Sequence, residues 1–355
     1  MDAIGLLKEL IAQPSFSREE RATADLIYAC FEREGLNPFR LKNNVWVVNE
    51  LYDASLPTLM LNSHHDTVKP SPSYTRNPFE PTIESGKLYG LGSNDAGASV
   101  VALSAVFSVF AKKKLPFNIL LAITAEEEVT GENGIRLLLP YLAENGYKID
   151  MALVGEPTGM QPAIAERGLV VLDCISRGVT GHAARNEGVN AIYKAVDDIQ
   201  RLRAFKFKRS SEVLGEISVQ TTMVQAGRQH NVVPEECRWV VDVRTTDAYT
   251  NEETVEILQS VIESEAVARS TRVRASVIDR CHPLVAVAVD MGKKPFVSPT
   301  TSDMSQMSQF PSLKMGPGES SRSHTADEFI ELHEIESAID EYKKYLSNLS
   351  NLYKQ

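Results

Sequence analysis

At 355 residues, 43% of them hydrophobic, the chain is long enough for two domains with full cores. A net charge of -10 with no basic run excludes a nucleic-acid binder, because phosphate recognition needs concentrated Lys and Arg. Cys30, Cys174, Cys237 and Cys281 are widely separated and form no CxxC pair, which leaves neither a zinc knuckle nor a disulfide framework. No stretch reads as both long and uncharged enough to span a bilayer, and the opening MDAIGLLKELIAQ lacks the basic-then-apolar start of a signal peptide, so a soluble cytoplasmic protein is expected.

In chain order, Ser17 and Glu20 have the spacing of a capping box ahead of the amphipathic helix ATADLIYACFEREG. NVWVVNEL and PTLMLNSHHD read as strands. Asp95 heads AGASVVALSAVFSVFAKKK, whose small start and basic finish are those of a buried helix. NILLAITAEEE and DMALVGEPTG are apolar runs that end in acids. This alternation predicts an α/β fold with a doubly wound sheet.

Past Gly168 the pattern becomes GLVVLDCISRG (strand), VNAIYKAVDDIQRLRAF (helix), EISVQTTMVQ and ECRWVVDVRTT (strands), NEETVEILQSVIESEA (helix) and RVRASVID (strand). That order, βαββαβ, predicts an inserted ferredoxin-like domain. The expected division is residues 1–168 with 283–355 for the first domain and 169–282 for the insert. After Pro283 a short apolar strand, the polar TTSDMS loop, the GPG of Gly316 to Gly318 and a final helix from about Asp327 complete the first domain.

The polar residues that follow the apolar runs carry the chemistry. In an open α/β sheet the carboxyl ends of strands converge on one crevice, which would gather His64, Asp66, Asp95, Glu126, Glu127, Glu128, Glu156 and His324. Asp66, two residues after His64, is placed to accept the second ring proton and fix the tautomer for metal binding, with His65 on the other face. Asp95 is either a helix cap or a carboxylate whose two oxygens bridge two cations. Like charges packed after a buried strand, as in the 126–128 run, need cations or shifted pKa values. Leaving aside Asp66 and Glu126, the set amounts to two imidazoles, one potential bridge, two terminal carboxylates and one acid left over. Imidazole and oxygen ligands without thiolate suit Zn, Mn or Co, zinc being the usual hydrolytic choice.

Eight ordered segments, NSHHDTV, GLGSNDAGAS, TAEEEVTGENG, GEPTG, TGHAARNEGVNAI, NVVPEECRWVVDVR, GPG and SHTADEF, resemble the M20 metallopeptidase family. GEPTG, TAEEE and SHTADEF are most similar to its acetylornithine deacetylase and succinyl-diaminopimelate desuccinylase branch. The resemblance implies a zinc-peptidase-like catalytic domain and an inserted domain that forms a homodimer. It implies that His64, Asp95 and Glu156 hold one zinc and that Asp95, Glu128 and His324 hold the other, with Co2+ or Mn2+ able to substitute. Glu127 is then the general base, Asp66 the orienter of His64, and Asp95-Ala96 a cis peptide. His182 takes the place of a histidine that stabilises the oxyanion in the partner's site. Asn231, Arg244, Arg185 and Gly316 are the substrate-binding candidates, Arg244 being suited to a carboxylate.

The implied reaction is hydrolysis of the amide in a small N-acyl amino acid, with N-acetylornithine of arginine biosynthesis first and acetylcitrulline or succinylornithine as equivalents. Succinyl-diaminopimelate, a dipeptide or an aminopeptidase substrate, and a binding protein that has lost catalysis, are the alternatives. Two features stand apart from the family pattern. PLVAVAVDMGKKPFVSP looks too short for a full helix of the catalytic domain, and Arg322 is either a contact for an anionic acyl group or a surface charge.

Overall fold

The computed structural model of the chain describes residues 1–354. The chain divides into two compact units. The first comprises Met1–Ile164, Ile278–Phe296 and the chain from Ser302 onward; the second comprises Ala165–Val277 with Val297–Thr301.

In the first unit the strands Asn118–Thr124, Thr58–His64, Met151–Val154 and Ser312–Lys314 lie side by side and parallel. The first three are buried along their whole length, as parallel strands covered on both faces must be, and this is why they read as unbroken apolar runs. Their register aligns the carboxyl ends: His64 is opposite Thr124, Asn62 opposite Val154, and Lys314 opposite Val154. The chain leaves all four strands at one edge. Phe39–Leu41 and Asn44–Val48 extend the sheet antiparallel on the Asn118–Thr124 side. A separate antiparallel sheet joins Thr82–Glu84, Lys87–Tyr89 and Phe329–Glu331.

The helix Ala98–Phe110 is apolar nearly all round and packs against the helix Leu332–Leu352. Together with its lead-in, Ser93–Phe110 is 18 residues of mean hydropathy 1.3, long and apolar enough to cross a membrane by composition, contrary to expectation. The segment is 83% buried within the protein and forms a core helix.

Three local expectations are corrected. No capping box forms before the helix Arg21–Arg33: Glu20 sits at the cap without a side-chain bond to the helix, and its carboxylate accepts from the Arg18 amide and the Asn43 side chain. The Ser17 hydroxyl instead donates to Asp66, 2.7 Å away. The apolar run after His282 is a helix, Pro283–Asp290, not a strand and not a missing element. Proline occupies its first turn, His282 accepts from the Leu284 amide as its cap, and the Leu284 carbonyl accepts from the buried Tyr345 hydroxyl. The final helix begins at Leu332, because residues 329–331 are held in a strand.

The second unit is a four-stranded antiparallel sheet in the order Ser218–Ala226, Glu236–Thr245, Gly168–Arg177, Glu265–Ala268. The helices Ala191–Ala204 and Asn251–Val261 bury one face of it around Val170, Leu172, Trp239, Val241 and Leu258. Alternating burial along Gly168–Arg177 is the signature of a sheet covered on one side. The order is ferredoxin-like, as expected, but its fourth strand is Glu265–Ala268. Within RVRASVID only Ser276–Val277 is extended in a ladder, and it pairs with Ala165 and Glu166.

Candidate active site

The aligned strand ends of the first unit deliver the predicted acids and imidazoles to one place. His64 ends its strand fully buried, and its Nδ1 lies 3.0 Å from the Asp66 carbonyl. A carbonyl only accepts, so Nδ1 carries the proton and Nε2 is left as the ligand atom. That nitrogen lies 3.3 Å from Asp95 Oδ1, 3.6 Å from Glu156 Oε1 and 3.9 Å from Glu127 Oε2. On the far side of Asp95, His324 Nε2 is 3.7 Å from Oδ2 and 3.0 Å from Glu128 Oε2. Each oxygen of Asp95 therefore faces a different imidazole. One ligand atom each from His64, Asp95 and Glu128 falls within 4.8 Å of the others.

The Asp66 carboxylate is farther from the His64 ring than expected, at 3.5 Å, because its oxygens serve other donors. Oδ1 accepts from the Glu127 amide at 3.0 Å, and Oδ2 accepts from the Glu128 amide at 3.2 Å and from Ser17. Asp66 thus ties the backbone of two neighbouring acids to the His64 strand. His65 points away, its ring between the Thr23 hydroxyl and the Asn43 carbonyl, and burial lowers its pKa to about 4.

The three consecutive glutamates separate because Glu126 adopts a left-handed backbone, φ 57°, and binds Asn133 through both its oxygens. Glu127 then faces His64 while Glu128 faces His324. Burial pushes Glu127 well above the usual carboxylate range against the pull of His64, with Glu156, Asp303 and Glu128 adding repulsion. Burial likewise pushes Glu156 up to about 8. For Asp95 burial acts upward too, but His64, with Ser323 and His324, holds it below the usual range. His324 is raised to about 9, chiefly by its hydrogen bond to Glu128. Acids crowded this closely beside two imidazoles, with no thiolate among them, are a donor set that fits a pair of hard or borderline divalent cations.

The backbone around the site is constrained. The Asp95-Ala96 peptide is cis. Gly92 has φ 75°, and a Cβ there would meet Thr67 at 2.6 Å. Gly316 packs so closely on the Glu156 loop that a Cβ would lie 2.6 Å from the Glu156 carbonyl. Its own amide and carbonyl bond to Thr158 and Met160, which makes it a support for Glu156 and leaves it no backbone group to offer a substrate.

Two acids near the site lie within quoted segments, Asp303 in TTSDMS and Glu328 in SHTADEF, but outside the predicted site residues. Asp303 is buried, accepts from the Thr124 hydroxyl at 2.7 Å, and is pushed up to about 6 by burial. Glu328 is buried and accepts backbone amides from the Asp95 loop; burial, then the Asp95 charge, push it up to about 8 against those bonds. Arg322 is neither a free surface charge nor a free anion contact: it pairs with Glu334 at 2.6 Å and lies over the Phe329 ring.

In the second unit, Gly181–His182 pairs with Val232–Val233, and the Ala183 amide donates to the Asn231 carbonyl at 3.1 Å, so His182 and Asn231 share one short ribbon. His182 Nδ1 accepts from the Ala184 amide at 3.2 Å, which leaves Nε2 as the nitrogen able to donate. Arg244 is exposed, and Asp242 engages its Nε and Nη2 at 2.8 and 3.2 Å. Arg185 is also exposed, 4.0 Å from Glu187.

Residues 60–348, which hold every one of these ligand candidates, match the sequence pattern of Peptidase family M20/M25/M40. The chain belongs to this family. In architecture, an α/β unit and an inserted ferredoxin-like one, it matches solved M20 structures along nearly the whole chain. It is 31% identical to a succinyl-diaminopimelate desuccinylase of Paracoccus denitrificans over 61% of this chain and 59% of that one, so under two thirds of that relative is spanned. A desuccinylase of Cereibacter sphaeroides is 29% identical over 70% of this chain and 69% of its own length. Among solved structures, a tripeptidase of Staphylococcus aureus has TM-score 0.77 at 20% identity, covering 99% of this chain and 98% of that one. A dinuclear metal binding peptidase of Bacillus subtilis has TM-score 0.73 at 15% identity, covering 98% of both. At these identities the two solved structures speak to fold alone.

Proposed function

We propose that the chain is a dinuclear zinc amidohydrolase that removes the acyl group from an N-acyl amino acid, with an N-succinyl diamino acid of the succinyl-diaminopimelate type as its substrate. The observation that carries the reaction class is the shared carboxylate of Asp95 between His64 and His324. The names of the curated relatives support a succinyl substrate, and with it a place in lysine biosynthesis, over the N-acetylornithine suggested by sequence motifs. His64, Asp95 and Glu156 would hold one cation; Asp95, Glu128 and His324 would hold the other.

When bound, the metal pair supplies a hydroxide at neutral pH and polarises the scissile carbonyl. The residues of the chain supply the proton traffic and orientation. Glu127, 3.9 Å from His64 Nε2, would take the proton that the nucleophilic water gives up and return it to the leaving amine. Asp66 fixes the backbone of Glu127 relative to His64. His182 donates from Nε2 to the oxyanion, and Asn231 on the same ribbon contacts the acyl amide. Arg244 Nη1 binds a substrate carboxylate while Asp242 steadies the other two nitrogens.

We assign the homodimer to the second unit, where Ser218–Ala226 is an edge strand with Met223 and Val224 half exposed. The test is amine release from succinyl-diaminopimelate, N-acetylornithine, N-acetylcitrulline, succinylornithine, two dipeptides and a tripeptide, with added zinc and an EDTA control. Chelator-sensitive turnover of the succinyl diamino acid above all others is the expected result. Preference for peptides with a free amine would replace the deacylase reading with a peptidase one.

A further inference from the structure

Glu328 lies outside both proposed ligand sets, yet its side chain is bound entirely to the backbone that carries Asp95. Oε1 accepts from the Asn94 and Asp95 amides, each at 2.9 Å, and Oε2 accepts from the Gly92 amide at 2.9 Å. The residue is 2% exposed. Its carbonyl accepts from the Gly90 amide at 3.0 Å, and the strand that follows it, Phe329–Glu331, pairs with Lys87–Tyr89 just before the same loop. Four amides of the 90–95 loop therefore converge on one residue.

Glu328 is also four residues past His324. The segment that presents the second imidazole thus grips the loop that presents the Asp95 carboxylate. The neighbouring Asp327 grips a different loop: it accepts from the Thr75 amide and hydroxyl and from the Arg76 amide. A carboxylate that bridges two cations must present both oxygens in fixed directions, which a loop held only at its ends would not ensure.

We propose that Glu328 is the positioning residue for the Asp95 bridge, holding the 92–95 backbone against the His324 segment so that both metal positions are preformed. This rests on the dinuclear reading above. The test is Co2+ titration of metal-free protein, followed by the visible d–d bands and by calorimetry, together with the melting temperature of each metal-free form. Glu328→Ala removes both acceptor oxygens and with them all three side-chain hydrogen bonds. The expected result is a loss of Co2+ affinity of about 10- to 100-fold in protein that remains folded. Glu328→Gln keeps one acceptor oxygen, so an intermediate loss is expected. Asp327→Ala loosens the same segment elsewhere and is expected to bind Co2+ as the wild type does.

Wild-type affinity in a folded Glu328→Ala protein, whatever its melting temperature, would reduce Glu328 to a structural role and overturn the inference. Equal weakening by Asp327→Ala would overturn it as well, because the effect would then belong to the segment as a whole. Should Glu328→Ala not fold, Glu328→Gln decides: an unchanged Co2+ titration overturns the proposal and a weakened one supports it. Absence of Co2+ binding by the wild type is a separate result that would sink the dinuclear reading itself.

Discussion

Glu127 and Glu128 are adjacent and chemically identical, and only the turn that begins at Glu126 gives them different neighbours. This makes a sharp prediction possible. Glu127→Gln should keep both cations, measured by metal analysis, and lose turnover by about 10²- to 10⁴-fold, the range of a general base. Loss of a cation in that variant would mean that base and ligand have been exchanged. A second prediction concerns protons. In the metal-free protein His324 titrates near 9, because Glu128 favours its charged form, and Glu156 near 8, because burial disfavours its charged form. Both hold a proton at pH 7, and both must give it up to become ligands. Metal uptake at pH 7 should therefore release protons, and affinity should rise with pH up to about 9. Calorimetry in two buffers of different ionisation enthalpy measures the release; heats independent of buffer would contradict the assignment of these two residues. His64, Asp95, Glu128 and Glu156 were legible in the sequence because each stands at or just past the end of a strand or at the head of a helix, whereas His324, in a turn, was found through the resemblance of its segment. Glu328 and Asp303 were not, since their roles depend on which backbone amide or hydroxyl the fold brings to them. Ser17 was misread for a related reason: its spacing to Glu20 is that of a cap, but its hydroxyl donates a hydrogen bond to Asp66, 49 residues away.

Among the elements, periodicity identified the long ones and failed on two short apolar runs. Pro283–Asp290 has eight residues, too few for a helical period to show against an equally apolar strand, and its capping histidine and proline were the overlooked signal. Glu265–Ala268 was absorbed into the preceding helix because nothing in ESEA breaks a helix. Its boundary is tertiary: buried Asp198 accepts the Glu263 and Ser264 amides and turns the chain into the sheet. The same helix shows where local signals suffice. Thr250 and Glu253 form a reciprocal capping box at its start, at 3.0 and 2.8 Å. Thr250→Ala should destabilise the protein by about 1 kcal/mol, read as a lower urea midpoint. Because this helix belongs to the second unit, Co2+ affinity should not change, and a concurrent loss of affinity would show that stability of the insert feeds the metal site.

At the scale of the whole molecule, the two halves of the proposed mechanism lie in different units: metal candidates and base in the first, His182 and Asn231 in the second. If His182 serves the site of the opposite subunit, catalysis requires the dimer, and the requirement can be separated from simple loss of a residue. His182→Ala alone should retain metal and weaken the transition state by about 2 to 4 kcal/mol, the cost of one oxyanion donor. Glu127→Gln alone should be nearly inactive. In a dimer with one copy of each, one site joins an intact Glu127 to the His182 of the other subunit, and the second site lacks both. Random exchange makes half the dimers mixed, so activity should recover to about a quarter of the wild-type value. If His182 acts within its own chain, no mixed dimer contains a complete site and recovery should be absent. Measuring activity after the two variants are unfolded and refolded together, against each refolded alone, distinguishes these outcomes. The recovery should also fall on dilution below the dissociation constant of the dimer, which a chain complete in itself would not show.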